Sequence, residues 1–187
     1  MLKHFSDLVP IFQTFHKMIQ TQFSHIIKVF RSDNAQEYND KSFLSILDSN
    51  GTLPHHSCPY TSQQNGCAER KLRYILDVVR TLLISASVLE RFRGEVALTA
   101  IYTINHLLSP TTNKKSPFDL LYDKLPDYSS LRVFGCVCFV SLPSHERNKL
   151  EPRSLLCCFL GYGISQKGFC YYDPISRCLR ISRPVEF

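Results

Sequence analysis

The pattern of apolar residues changes character near residue 130. After it, short runs rich in cysteine and aromatic residues follow one another, separated by proline and glycine, and predict closely spaced strands of a small antiparallel sheet or barrel. Before it, apolar side chains recur at the spacing of amphipathic helices, most clearly over residues 5–23, 68–86 and 90–108. The chain is therefore predicted to combine an α/β part with a compact all-β part.

Two short strands are predicted among the helices of the first part. IIKVF, residues 26–30, is a β-branched run that ends at a polar stretch, and it predicts a buried strand. TLPHHS, residues 52–57, predicts a second strand. The helix between them is expected to begin near Asp40 and to stop at Asn50 and Gly51.

The two longest later helices each have a face that we expect to be buried. In the first, this face consists of Ala68, Leu72, Ile75, Val79, Leu82, Leu83 and Ala86. In the second, it consists of Phe92, Val96, Ala100, Ile101, Ile104 and Leu108.

Composition indicates a globular protein with a weak preference for polyanionic partners. The 187 residues are 44% hydrophobic and carry a net charge of +6. We see no apolar stretch long enough to span a bilayer and no signal peptide, so an intracellular protein without membrane contact is expected.

The eight cysteines form no C-x-x-C pair, and most occur in strand-like runs. They are expected to be reduced and to act as small apolar side chains rather than as zinc ligands. His55 and His56 lie near Cys58 but lack a fourth ligand, so we interpret them as structural.

Two acids are candidates for chemistry because of their positions. Asp33 follows a predicted strand, and Glu69 falls in the first turn of a long helix after a polar loop. Residues 34–68, 35 in number, separate them. Acids from separate elements can converge on divalent cations, which prefer oxygen ligands. Taken alone, Asp33 also suits the commoner role of a turn or capping acid, and Glu69 that of a helix acid paired with Arg73.

Five segments resemble the integrase region of copia-type LTR retrotransposon polyproteins, in that family's order and spacing. They are FRSDNAQEY (30–38), PYTSQQNGCAERK (59–71), GEVALTAIYTINHL (94–107), SPFDLLYDKLPDYSSLRVFGCVCFV (116–140) and FLGYG (159–163). The resemblance implies an α/β fold with a ribonuclease-H-like core, followed by a small Src-homology-3-like β-barrel. It places a partial core at 1–110, a linker with a short helix at 111–130 and the barrel at 131–187.

The resemblance also implies an activity and its residues. Asp33 matches the second acid of the family's Asp, Asp, Glu triad, and Glu69 matches the third. Both would be catalytic and would ligate Mg²⁺ or Mn²⁺ in a polynucleotidyl transferase that integrates DNA. Nuclear localisation and self-association are further implications, and no small-molecule substrate is implied.

The chain departs from the family's pattern in three places. Ala35 and Gln36 replace two glycines, and Arg93 replaces an aromatic residue. The first acid of the triad is expected on a strand upstream of residue 1. We therefore expect an N-terminally truncated, catalytically impaired segment, and whether it is an enzyme is left open.

Candidate DNA contacts lie on the loop and helix around Glu69. Amides and cations there suit phosphate positioning, although a solvated charged helix face is an alternative explanation. The candidate residues are Gln64, Asn65, Arg70, Lys71 and Arg73. Two other hypotheses remain: a non-catalytic DNA- or RNA-binding or interaction remnant, and a fragment without selected function.

Overall fold

The computed structural model describes residues 7–33, 35–58, 61–142, 150, 152–163 and 166–187. The chain divides into two compact units, Met1–Leu72 and Arg73–Phe187. The division falls inside one long helix. The predicted boundaries at 110 and 131 remain predictions.

The first unit contains two helices, two strands and the start of a third helix. In chain order these are α1 (Leu8–Phe23), β1 (Val29–Ser32), α2 (Lys41–Ser49), β2 (Leu53–His56) and the first part of α3 (Gly66–Ser85). Helix α2 is as expected. Asp40 caps its start by accepting a 3.0 Å hydrogen bond from the Ser42 N–H, and Gly51 follows its end at φ +66°.

Helices α1 and α2 pack on the first unit's aromatic core. Phe12 and Phe43 are buried, and both rings make edge contacts with Phe30 of β1. Strand β1 differs from the prediction in both bounds and burial, since it is shifted towards residue 32 and Val29 is 49% exposed. The physical reason is that α1 and α2 pack on the Phe30 side of β1, whereas Val29 and Arg31 point to the opposite side, which is exposed.

The second unit contains two further helices and an antiparallel sheet of five strands. Its elements after α3 are α4 (Arg93–His106), α5 (Pro117–Tyr122), β3 (Val137–Ser141), β4 (Ser154–Tyr162), β5 (Phe169–Asp173), β6 (Cys178–Ser182) and β7 (Val185–Glu186). The strand order is β6-β5-β4-β3-β7. The α/β fold with a following antiparallel sheet is confirmed.

Two buried clusters hold the second unit together. One lies within the sheet around Phe159, Val140 and Cys138. The other joins helix residues Phe92 and Val96 to Phe134 and Leu160. Burial of such side chains contributes roughly 1.5–3 kcal/mol each.

The predicted buried faces of the long helices are correct only in part. In α3, Val79, Leu82 and Leu83 pack on the second cluster, but Leu72 is 59% exposed. Ile101 and Leu108 are exposed as well, whereas Thr99 and His106 are buried instead. Helical spacing identifies an apolar face but not how much of its length finds a partner.

Every helix in the described part of the chain is too short or too polar to cross a membrane. All eight cysteines lie in the described part of the chain, and none is paired in a disulfide there. Cys138 and Cys157 are buried in the sheet, and Cys58, Cys67 and Cys178 are exposed.

Candidate metal and nucleic-acid site

The parallel pairing of β1 and β2 sets one edge of the first unit. Val29 is level with Leu53, and Ser32 is level with His56. The Ser57 N–H donates a 3.0 Å hydrogen bond to the Ser32 carbonyl and continues the pairing past β2. Because parallel strands end at the same edge, the residues after β1 and those after β2 are neighbours there.

Asp33 is the first residue after β1 at this edge, and its side chain is exposed. Its Oδ1 accepts a 3.3 Å hydrogen bond from the Ala35 N–H, which forms a local turn in place of the family's two glycines. The second carboxylate oxygen, Oδ2, is not used by that turn. Asp33 thus takes the turn-forming role, and its side chain is exposed.

The loop after β2 connects this edge to helix α3. The Cys58 N–H donates a 2.9 Å hydrogen bond to Gln64 Oε1, and the Cys58 carbonyl accepts from both the N–H and the hydroxyl of Thr61. Cys58 is two residues past β2. The short 3-10 helix Ser62–Asn65, and the start of α3 that follows it, are therefore held at the carboxyl edge of the strands.

Glu69 lies in the first turn of α3, with its side chain exposed. A helix that begins at this edge brings the first-turn acid towards the end of the first unit that carries Asp33. A carboxylate is also favoured near a helix N-terminus by the helix dipole. Asp33 and the start of α3, whose first turn carries Glu69, therefore lie at one end of the first unit.

The ion-pair explanation for Glu69 does not hold in the described structure. Glu69 forms no ion pair with Arg73 there; the pair recorded on α3 is Arg80 with Asp77, at 3.0 Å. The alternative to a metal ligand was a first-turn acid stabilised by an ion pair with Arg73. That ion pair is missing among the described residues. This leaves the Glu69 carboxylate without that partner.

The predicted DNA-contacting residues surround Glu69 on exposed positions. Gln64, Arg70, Lys71 and Arg73 are exposed, and Asn65 is half-buried. The Arg70 side chain lies back along the helix, with Nη1 3.3 Å from the position a Cβ on Gly66 would take. Its guanidinium is thus directed to the start of α3 rather than to its middle.

The two predicted metal ligands at this site, Asp33 and Glu69, are both carboxylates. The oxygen atoms of Asp33 and Glu69 suit a hard divalent cation. In the part of the chain that the structure describes, no three His, Cys, Asp or Glu side chains group together as ligands of one ion. Asp33 and Glu69 thus fit such a cation as two of its several ligands.

The tertiary structure adds neighbours that the sequence did not indicate. Burial raises the pKa of the Tyr38 phenol, and the negative charges of Asp33 and Glu37 raise it further. At the same edge, the Ser32 hydroxyl is 3.2 Å from His56 Nδ1. Ser32 and Tyr38 lie within the segment 30–38 that resembles the integrase region, but only the fold shows which side chains they lie beside.

The chain resembles known proteins in both sequence and fold. Residues 136–187 match the family model of the retroviral polymerase SH3-like domain. Over its whole length, with 15% identity and a TM-score of 0.53, the fold resembles a chain of the simian T-cell lymphotropic virus intasome, solved in complex with PP2A regulatory subunit B56 gamma. That match covers 99% of this chain and 64% of the intasome chain. The fold class is thus that of a retroviral-type polymerase segment.

Two plant sequences identify the family more closely. The retrovirus-related Pol polyprotein from transposon TNT 1-94 of Nicotiana tabacum is 36% identical over 186 residues, and that from transposon RE1 of Arabidopsis thaliana is 36% identical over 187 residues. Each match covers 100% of this chain but only 14% and 13% of the respective polyprotein. The chain belongs to the copia-type retrovirus-related Pol polyproteins, as a segment of their integrase region.

Proposed function

We propose that this segment takes part in DNA integration by polynucleotidyl transfer, as the integrase-type portion of a retrotransposon polyprotein. The observation that carries the proposal is the placement of Asp33 and the start of α3 at the same edge of the first unit. A ribonuclease-H-like core, nuclear localisation and self-association belong to the same proposal.

Asp33 and Glu69 are the proposed metal ligands. Their exposed carboxylates would hold the ion. A bound Mg²⁺ or Mn²⁺ supplies Lewis-acid stabilisation of the charge that develops in phosphoryl transfer. The family's triad has three acids, and residues 1–187 contain matches to two of them. We therefore propose that the 187 residues by themselves are catalytically impaired.

The proposed DNA surface consists of Gln64, Asn65, Arg70, Lys71 and Arg73. Gln64 uses its carbonyl oxygen to accept from the Cys58 N–H, which leaves its amide N–H groups for a phosphate oxygen. Arg70 adds a cation near the start of α3, where the helix dipole also favours an anion. These are phosphate contacts, so binding should depend on salt and little on base sequence.

The second candidate function is a non-catalytic nucleic-acid-binding or interaction segment. This function is favoured because the chain matches two acids of a triad that has three in the family. Metal binding and strand transfer separate it from the first candidate, whereas DNA binding is common to both.

Mn²⁺ binding is the direct test of the two acids. Water proton relaxation should report a Mn²⁺ site in the wild-type chain that is lost in the variant Asp33→Asn/Glu69→Gln. The matched control, Glu90→Gln, removes one exposed acid of the second unit and should keep the site. Equal Mn²⁺ binding by the wild type and the double variant would refute the assignment.

Strand transfer of a model DNA end with Mg²⁺ tests the activity. We expect the 187-residue chain to remain near background, in line with the proposed impairment. Clear activity that Glu69→Gln abolishes would support the acid and refute the impairment. Clear activity that survives Glu69→Gln would refute Glu69 as a catalytic residue.

A further inference from the structure

The second unit contains a cavity between helix α4 and the sheet. Its volume is about 200 Å³, and we call it the Glu95 cavity. Apolar side chains form most of its wall, Glu95 is the one acid among the described lining residues, and none of these is a lysine or an arginine. The lining side chains that matter here are Glu95, Leu98, Thr99, Tyr162, Cys170 and Ile181.

The Glu95 cavity runs from the surface towards the core of the second unit. Leu98 of α4 and Ile181 of β6 are exposed, whereas Thr99 and Leu160 are buried. All four residues line the cavity. A ligand can therefore enter from solvent past Leu98 and Ile181 and cover apolar surface as it does so.

Three hydrogen-bond donors of the cavity wall are already engaged. The Thr99 hydroxyl donates a 3.1 Å hydrogen bond to the Leu160 carbonyl. The Tyr162 hydroxyl donates a 3.3 Å hydrogen bond to a main-chain carbonyl, and the Gly163 N–H donates one of 2.8 Å to another. The Glu95 carboxylate can only accept, and the Thr99 oxygen retains accepting capacity. A ligand that forms hydrogen bonds with these oxygens must bring its own donors.

The Glu95 carboxylate brings negative charge to this apolar wall. Glu95 is half-buried and forms no ion pair in the described part of the chain. Burial and, to a smaller extent, the charge of Glu95 raise the pKa of the Cys170 thiol to about 11. The carboxylate thus acts on a group of the cavity wall. A positive charge is favoured there, since a carboxylate attracts a cation more strongly beside apolar surface than in open water.

We propose that the Glu95 cavity binds a primary aliphatic amine, with the ammonium group at the Glu95 carboxylate and the carbon chain against Leu98 and Ile181. An ammonium group supplies three donors and a positive charge, which this wall lacks. Each CH₂ group covered by the wall adds to the affinity. An alkyl carboxylate would instead bring a second negative charge to Glu95, and an alcohol would bring none.

The surroundings of the Glu95 cavity favour a ligand with a single positive charge. An adjoining groove of about 320 Å³ shares Tyr162 and Gly163 with the cavity and is lined by Lys167 and Arg183. These two cations would repel any further positive charge on the ligand. Spermidine, which carries three, should therefore bind no more tightly than pentylamine, which carries one.

This proposal goes beyond the proposed function and does not depend on it. It involves neither DNA nor a divalent cation, and its residues belong to the other unit from Asp33 and Glu69. A chain that fails the Mn²⁺ and strand-transfer tests can still bind an amine in EDTA.

Chemical-shift titration of the ¹⁵N-labelled chain with pentylamine in EDTA tests the charge. We expect saturable binding with a dissociation constant of roughly 1 mM, as is usual for so small a ligand. Pentanol should bind about tenfold more weakly, and pentanoate should not bind. Glu95→Gln should weaken pentylamine binding about tenfold. The matched control, Glu90→Gln, removes an exposed acid outside the cavity and should change the affinity less than about twofold.

Two exposed apolar residues of α4 test the wall. Leu98→Ala shortens a side chain that lines the cavity and should weaken pentylamine binding about threefold or more. Ile101→Ala is the matched control, because Ile101 is exposed on the same helix but does not line the cavity, and it should leave the affinity unchanged. Circular dichroism checks that each variant is folded. If Glu95→Gln is unfolded, the comparison of pentylamine, pentanol and pentanoate on the wild type decides the matter.

Thiol labelling locates the bound amine. Pentylamine should slow the modification of Cys170 by methyl methanethiosulfonate, because Cys170 lines the cavity. Cys178 is exposed on β6 outside the cavity, and its labelling should not change. Mass spectrometry of the digested chain measures both rates in one sample.

Three outcomes would overturn the proposal. The first is equal affinity for pentanol and pentylamine, and the second is an equal loss of binding in Glu95→Gln and Glu90→Gln. The third is unchanged labelling of Cys170 at saturating pentylamine. The source of the amine is identified with N-acetyl-lysine N-methylamide: tighter binding than pentylamine indicates the lysine side chain of a peptide, and weaker binding indicates a free amine.

Discussion

Thr99 of α4 donates a 3.1 Å hydrogen bond to the carbonyl of Leu160 in β4, across 61 positions of sequence. Both residues are buried. The next residue, Gly161, has φ +131°, and a Cβ there would collide with the Thr99 hydroxyl. Strand β4 shifts its pairing with β5 at this same point. The contact thus anchors helix α4 on the sheet of the second unit.

Replacing Gly161 by alanine should destabilise the second unit by roughly 2 kcal/mol or more. The new methyl group meets Thr99, and the backbone conformation at φ +131° is one that residues other than glycine rarely adopt. Urea unfolding followed by circular dichroism measures the loss.

The control for that change is Gly94→Ala, at a position within α4 where nothing lies within 4 Å of an added Cβ. It should leave stability unchanged or raise it by up to about 1 kcal/mol, since alanine favours helix. A Gly161→Ala protein as stable as Gly94→Ala would contradict the anchoring role.

Gln64→Leu and Gln64→Glu should differ in their effect on stability and have similar effects on DNA binding. Leucine removes the acceptor for the Cys58 N–H and should cost about 0.5–1.5 kcal/mol, whereas glutamate retains an acceptor oxygen. Both lose the amide donors proposed for phosphate, so both should weaken duplex binding. Thermal melts and anisotropy separate the two roles, and unchanged DNA binding in both would show that Gln64 only supports the loop.

Arg73→Ala should weaken duplex DNA binding without affecting stability. The side chain is exposed and forms no ion pair with Glu69 in the described structure, so the free energy of unfolding should change by less than about 0.5 kcal/mol. Loss of one phosphate contact should reduce the salt slope by about 0.9. Arg80→Ala is the matched control, because Arg80 is paired with Asp77 outside the proposed DNA surface. Equal slopes in both variants would remove Arg73 from that surface.

Asp173 should make the second unit less stable in acid. Burial by itself raises the pKa of this carboxyl, but hydrogen bonds from Ser176 and Ile175, together with the charge of Arg180, bring the pKa below its ordinary value. A lowered pKa stabilises the fold above the ordinary value, and that stability is lost as pH falls through the folded value. The melting temperature of Asp173→Asn should therefore depend less on pH below about 4 than that of the wild type. Parallel curves for the two proteins would exclude Asp173 as a source of the acid sensitivity.

Alkali should destabilise the sheet through its buried thiols. Burial raises the pKa of Cys138 to about 12 and that of Cys157 to about 11. The stability contributed by these neutral thiols is present below a pH of about 9 and decreases as pH rises through the folded values. The double variant Cys138→Ala/Cys157→Ala should lose less stability between neutral and alkaline pH, although it is less stable overall.

Iodoacetamide offers a separate check on the same thiols. It should modify Cys58, Cys67 and Cys178 in the folded chain and reach Cys138 and Cys157 only in denaturant. Rapid labelling of Cys138 under native conditions would contradict its burial.

Sequence patterns predicted a helix or strand well where the interactions that define it join residues close in sequence. Helix α2, its Asp40 cap and its Gly51 end follow from side chains that are adjacent in sequence. The short strands after residue 130 were equally predictable from their alternation and turn residues. The candidate acids, Asp33 and Glu69, could be singled out from their spacing and from the family resemblance.

Which surfaces of those helices and strands are buried could be learned only from the fold. Val29 of β1 is half exposed because it lies on the side of the strand opposite the one on which α1 and α2 pack, which its β-branched composition does not reveal. Leu72 belongs to an apolar helical face but is 59% exposed, whereas Thr99 is buried, with Gly161 lying against it. Burial depends on what a face meets, and that is a property of distant segments.

The sequence by itself determined the order of helices and strands, the family and the two acids, because propensity, spacing and motif are local. Only the tertiary structure decided that Gln64 supports the Cys58 loop, that Glu69 does not pair with Arg73, and that Lys167 and Arg183 border a common groove. Hydrogen bonds and charges act over a few ångströms of space, and chain folding alone determines which residues come that close.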